Sequence, residues 1–218
     1  MESNEIGRRE RRRMATLEGF LKAALAIVVA EGFAALTLHR VAAASDYTRA
    51  ALYRYFDSKE ALIAALTVRV IDEIRETVSA SVAEHAAETA IARLRVAVAA
   101  YRSYANENPE KLAMLSMLMA DARVILPGEK TVRPTIAALE KTLAPLAALL
   151  AEAADGGALT RGVHGARAAV LFASVHGSLQ LRKQAARSAH LPNTDALCDL
   201  AVDSLLAGWG LSNDGEPS

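Results

Sequence analysis

Residues 41–53 read Val41-Ala42-Ala43-Ala44-Ser45-Asp46-Tyr47-Thr48-Arg49-Ala50-Ala51-Leu52-Tyr53. Two helices that cross at a short turn make three demands on sequence, and this stretch meets each at the required offset. The first helix must be small where the second crosses it, and Ala42 is small. Four positions on, the turn needs a residue that tolerates positive φ; Asp46 does so, though less readily than glycine. Six further on, the second helix needs an apolar residue to bury against the first, and Leu52 stands there. Val41 and Tyr47 supply the remaining apolar contacts.

The flanking residues extend the pattern. Leu17, Phe20, Leu21, Ala24, Leu25 and Val28 recur at three- and four-residue spacing and predict one helix with an apolar stripe, stopped at Gly32. The Thr37 hydroxyl is placed to cap a short second helix, and a third starts near Thr48. A fourth opens at Asp57-Ser58-Lys59-Glu60, where Asp57 and Glu60 have capping-box spacing, and carries Leu62, Leu66, Val70, Ile74 and Val78 on one face. Beyond it, Asn108-Pro109, Pro127-Gly128 and Asp155-Gly156-Gly157 punctuate further helices, Pro134 suits a first turn, and Pro145 predicts a kink. Two long segments close the chain, roughly residues 165–188 and 194–207. Nine helices and no strand are expected: an all-α chain, with an N-terminal three-helix module (residues 13–60) and a larger helical domain (61–211). A basic flexible arm (1–12) and a flexible tail (212–218) flank them.

Composition agrees with this reading. The 218 residues are 52% hydrophobic, with 12 glycines, 6 prolines and 5% aromatics, a balance that favours helix. The single cysteine, Cys198, excludes an internal disulfide framework and fits a reducing compartment. No apolar run reaches the ~18 residues of a spanning helix, so a cytoplasmic protein without a membrane partner is expected. The formal net charge of zero hides an asymmetry. Residues 8–54 hold nine basic and four acidic side chains, whereas residue 61 onward holds fifteen basic and seventeen acidic. A basic head on a slightly acidic body points to an anionic partner met by the head.

Residues 24–66 resemble the DNA-binding domain of the TetR family of regulators. The matching residues are Ala24, Glu31-Gly32-Phe33, Thr37, Val41-Ala42, Thr48, Leu52-Tyr53, Phe56 and Ser58-Lys59-Glu60-Ala61-Leu62. Asp46, Tyr47 and Ala50 depart from it, standing where Gly, Val and Gly are usual. The resemblance implies a repressor that binds a palindromic operator in duplex DNA, with its third helix in the major groove. Arg49 then faces the bases, with a guanine or a phosphate as its partner. Thr48 caps the helix or touches phosphate; Tyr53 and Tyr55 match phosphate-contacting positions, Tyr53 with packing as its alternative. Thr37 and Lys59 sit at helix starts, where exposed N–H groups favour phosphate. Tyr47, Ala50 and Arg54 complete the expected DNA-facing set.

The family resemblance also implies an unknown small-molecule effector bound in the second domain and release from DNA on binding; a DNA-binding regulator or helical interaction module without a small-molecule ligand is the alternative. Val175-His176-Gly177-Ser178-Leu179 resembles a His-Gly-containing motif of one class of TetR C-terminal domains. Tyr101, Tyr104, Met114, Met117, Leu118 and His176 are the expected pocket residues, and they would serve equally as ordinary core; Met119 belongs to the same cluster. Arg102, Arg123, His164 and His176 are candidates for a polar ligand group. The last two helices are expected to form a homodimer through Leu171, Val175, Leu179 and Leu205. No Gly-rich phosphate loop, cysteine pair or Gly-x-Ser-x-Gly elbow is present, so no enzyme, metal or cofactor is expected.

Overall fold

The computed structural model describes residues 2–120 and 129–211. The Pro127-Gly128 break, Arg123, the side chain of Met119 and the 212–218 tail lie outside the described residues. The elements are α1 (Glu2–Glu31), a 3-10 turn (Phe33–Ala35), α2 (Leu38–Ala44), α3 (Arg49–Tyr53), α4 (Lys59–Glu84), α5 (Ala90–Glu107), α6 (Pro109–Ala120), α7 (Glu129–Asp155), α8 (His164–Gln180), α9 (Arg182–Ala185) and α10 (Thr194–Gly208); no strand occurs among the described residues. They form two compact units. One takes the described residues of Met1–Val70 and Glu110–Ile136, the other those of Ile71–Pro109 and Ala137–Ser218.

The first unit is built on the α1 stripe. Phe20, Leu21, Ala24, Ile27 and Val28 are buried, joined by Leu36, Val41, Leu52 and Leu62. Gly32 ends α1 at φ 81°, its N–H bonded to the Val28 carbonyl. Thr37 and Thr48 cap α2 and α3, each Oγ1 accepting the N–H three residues on at 3.2 Å. Two expectations need correction here. Residues 2–12 were expected to be an arm, but they are the first turns of α1, since Glu and Arg are good helix formers and no proline interrupts them. The cap of α4 is Ser58, not Asp57: the Ser58 hydroxyl accepts the Ala61 N–H at 3.1 Å, and a serine at that position needs no help from the residue before it.

In the second unit α8 packs along α10. Ala168, Leu171, Val175 and Leu179 of the one and Cys198, Val202 and Leu206 of the other are buried. Asn193 caps α10 by accepting the Ala196 N–H at 2.8 Å. The segment expected to run unbroken through residues 165–188 stops at Leu181 (φ −78°, ψ 1°), and the short α9 follows. The long α7 continues through both prolines, with Pro134 beyond the first turn. Pro134 and Pro145 are both exposed, so water can take the carbonyl that each missing N–H releases.

Candidate nucleic-acid interface and effector cleft

The turn between α2 and α3 depends on Asp46, which lies at φ 57° and is the one non-glycine residue at positive φ among the described residues. Its N–H bonds to the Ala43 carbonyl and that of Tyr47 to the Ala42 carbonyl at 3.0 Å. This pair of bonds, from the first and second residues past the cap, satisfies the last carbonyls of α2 and turns the chain sharply. The Tyr47 ring is then set edge-on to Phe20, centroids 5.0 Å apart, while Tyr55 and Phe56 meet the same Phe20 ring at 5.3 and 6.5 Å. Phe20 was legible as core; its role as the hub for three other aromatic rings, drawn from both sides of α3, was not.

That packing leaves the reading face of α3 open. Thr48, Arg49, Ala50, Tyr53 and Arg54 are exposed. The Arg49 guanidinium lies 5.5 Å from the Tyr53 ring centroid, and Nη2 donates to the Tyr53 hydroxyl at 3.2 Å, so residues one helical turn apart form a paired surface. Tyr47 is also largely open, with its hydroxyl 3.4 Å from Thr16 Oγ1. Tyr55 is half-buried. Arg9, Arg12 and Arg13 of α1 line one cleft with Arg54 and Tyr55, a concave basic surface that runs on from α3. Thr37 is exposed at the start of α2. Lys59 donates one of its three N–H bonds to the Phe33 carbonyl at 2.6 Å and thereby ties the 3-10 turn to the head of α4. Glu31 and Arg40 form an ion pair beside it, each holding the other in its charged form: the Glu31 carboxyl is lowered and the Arg40 guanidinium raised.

The second unit contains an apolar cleft of about 350 Å³ between α4, α5 and α7, lined among others by Val78, Val82, Leu146 and Leu149, with Arg75, Arg93 and Glu152 on its walls. Val78, Thr142 and Leu146 also line a narrower crevice of about 40 Å³, which reaches Tyr101, Leu171, Phe172 and Val175. Behind it the Tyr101 hydroxyl meets His176 Nδ1 at 2.6 Å, and Phe172 stacks on the imidazole at 5.4 Å. Burial raises the Tyr101 phenol and lowers the His176 imidazole, so both stay neutral. The hydroxyl and Nδ1 satisfy each other, and Nε2 is a buried atom with no partner.

Of the expected pocket residues, Tyr101 lines this crevice and His176 supports it. Tyr104 is buried and donates to Glu73 at 2.9 Å. Met114, Met117 and Leu118 belong to the other unit, Met114 and Leu118 as core and Met117 at 48% exposure, and none of them lines this cavity. Arg102 is bound to Asp195 and Asp199, and His164 lines neither cavity. Cys198 is core, its thiol raised by burial. Of the expected dimer residues, Leu171, Val175 and Leu179 are buried inside the chain itself and Leu205 is half-buried. The first three are therefore corrected to monomer core: Leu171 and Val175 line the inner crevice, and the open face of α8 carries Ala166, Ala169, Ala173 and Gly177. Among the described residues no cluster of metal-ligating side chains occurs, and no helix is long and apolar enough to cross a membrane.

A capped two-helix turn with an open basic reading face defines a helix-turn-helix DNA-binding protein. Residues 20–66 match the family described as bacterial regulatory proteins, tetR family, and residues 94–205 match the tetracyclin repressor-like C-terminal domain. The chain belongs to the TetR family of transcriptional regulators. No curated protein sequence matches it. Solved structures share the fold. A TetR-family regulator from Mesorhizobium loti is 17% identical with a TM-score of 0.68, the match covering 91% of this chain and 98% of that one. FadR from Bacillus subtilis, solved with stearoyl-CoA, is 14% identical at 0.70, covering 88% and 98%. SmeT, the repressor of the Stenotrophomonas maltophilia multidrug efflux pump SmeDEF, is 24% identical at 0.61, covering 93% and 96%.

Proposed function

We propose that the chain is a cytoplasmic, homodimeric repressor that occupies a palindromic operator in duplex DNA and leaves it when a small molecule enters the cleft of the second unit. The exposed Arg49–Tyr53 pair on a capped α3 carries this reading. Arg49 projects from the first turn of the recognition helix and reads a guanine edge; Thr37, Tyr47, Thr48, Ala50, Tyr53, Tyr55 and Lys59 place that helix against phosphate and sugar, and the Arg9–Arg54 cleft receives the backbone alongside. A neighbour solved with stearoyl-CoA and another that represses a drug pump support a small-molecule effector. The test is Arg49→Ala. It should cost ~1–3 kcal/mol on operator fragments selected from genomic DNA and much less on random duplex. Equal losses on both would reduce Arg49 to a phosphate contact.

The dimer rests on the outer faces of α8 and α10. Ala166, Ala169, Val170, Ala173 and Gly177 recur at helical spacing on the exposed side of α8, and Leu200 is 60% exposed on α10 beside Ser204 and Ala207. Small residues let a second pair of helices approach closely, which would close an isologous four-helix bundle. One recognition helix spans too few base pairs for useful specificity, whereas two set about one helical turn apart, ~34–36 Å, read both half-sites.

A further inference from the structure

We propose that the ligand of the second-unit cleft is a monoanionic amphiphile, an apolar chain ending in a carboxylate, and that Arg93 is the residue that receives the carboxylate. This rests on the effector reading above and adds its chemical class. The inner crevice is lined by aliphatic and aromatic side chains and offers no free polar group: the Thr142 hydroxyl is spent on the Ala138 carbonyl and the Tyr101 hydroxyl on His176. A tail lying there has to be apolar, because a polar atom would lose its water and gain nothing.

Charge stands only on the walls of the wider cleft, where Arg75, Arg93 and Glu152 are the three charged lining residues. The two arginines differ. Arg75 is already held by two carboxylates, Asp72 at 3.0 Å and Glu76 at 3.7 Å, three and one residues away on its own helix. Arg93 has a single carboxylate, Glu152, reached through Nη1 alone at 3.0 and 3.1 Å. The Glu152 side chain is 54% exposed and can turn to water at little cost. The Arg93 side chain is only 23% exposed, and its Nε hydrogen is buried with no acceptor. A guanidinium presents Nε–H and a neighbouring Nη–H as a planar fork that matches a carboxylate. One edge of that fork is unfilled, so an incoming carboxylate gains a charge-assisted pair where the unliganded protein leaves a donor unsatisfied. A cationic head would instead have to displace Arg93 from Glu152. The volume, about 350 Å³, is at the lower end of the ~300–1,000 Å³ of small-molecule sites and suits one chain of moderate length.

Isothermal titration of the full-length protein with decanoate, 1-decanol and decylammonium tests this. Decanoate should bind about tenfold more tightly than decanol, with decylammonium weakest. Arg93→Gln should bring decanoate down to the level of decanol and leave decanol unchanged, whereas Arg75→Gln should move neither by more than about twofold. Leu146→Trp, which fills the passage shared by cleft and crevice, should abolish all three while the circular dichroism spectrum stays that of the wild type. Decanoate binding that survives Leu146→Trp or Arg93→Gln overturns the assignment. Equal binding of all three probes overturns the charge assignment and leaves the effector cleft standing; binding of none overturns both.

Discussion

Replacing Asp46 by Gly and by Val should have unequal effects on stability, because residue 46 is held at φ 57°. An L-residue in this region costs ~1–2 kcal/mol, and Asp tolerates it better than most because its side chain is short and polar. Glycine removes the strain but gives back about 0.5–1 kcal/mol through the freedom it adds to the unfolded chain. Asp46→Gly should therefore lie within about 1 kcal/mol of the wild type. Valine, branched at Cβ, takes the full strain with no local polar compensation, and relaxing out of it breaks the bonds from Asp46 and Tyr47 to the end of α2. Asp46→Val should fall ~1–3 kcal/mol below Asp46→Gly. Urea unfolding followed by far-ultraviolet circular dichroism is the suitable assay, since Trp209 lies in the other unit and does not report on this one. Operator affinity should follow the same order, because the turn sets the direction of Arg49. Equal stability of the two variants would mean that the turn is not left-handed at residue 46.

Three further outcomes are expected. Arg12→Ala and Arg54→Ala should each lower the slope of log affinity against log salt by about 1, read from binding at several salt concentrations; unchanged slopes would remove the basic cleft from the DNA face. Leu200→Arg should yield a folded monomer in sedimentation, whereas Leu179→Arg should fail to fold because it buries a charge; a dimeric Leu200→Arg protein would place the interface elsewhere. Stability should be independent of His176 above about pH 6.5, where the residue is neutral folded and unfolded, and should fall below it as the unfolded imidazole takes up a proton that the buried one resists. His176→Gln should flatten that acid limb in thermal melts between pH 7 and pH 5, and an unaltered limb would exclude His176 as its source.

The turn was legible because its constraints are local. Ala42, Asp46 and Leu52 stand at fixed offsets within one short segment, and the Thr37 and Thr48 caps lie one turn from the N–H groups they satisfy. The faces of α8 were not. In a helix where Ala166, Ala169, Ala173 and Gly177 share the surface with Leu171, Val175 and Leu179, both sides read as apolar, and only packing against the other helices of the unit decides that the larger residues go inward. The cleft was less visible still. Its defining pair, Arg93 and Glu152, is 59 residues apart, and nothing near either residue marks it as a partner of the other. The one local hint was an arginine on the half-buried side of an alanine-rich helix. Length misled at the N-terminus: a run of arginines looks like a tail, yet with glutamates beside it and no proline it continues a helix.

Five residues are too few for a helix to persist by its own hydrogen bonds. Phe20 grips the chain just before α3 through Tyr47 and just after it through Tyr55 and Phe56, and Leu52 pins its middle. The residues that meet the bases are thus not the residues that make α3 a helix. Position 49 can be rewritten like the tooth of a key whose shank is kept. New specificities can be grafted there, or drift there under selection, with little charge against the fold. The same separation assigns the two kinds of failure to different residues: substitutions in the aromatic hub should destroy binding to every sequence, and substitutions at 49 should redirect it.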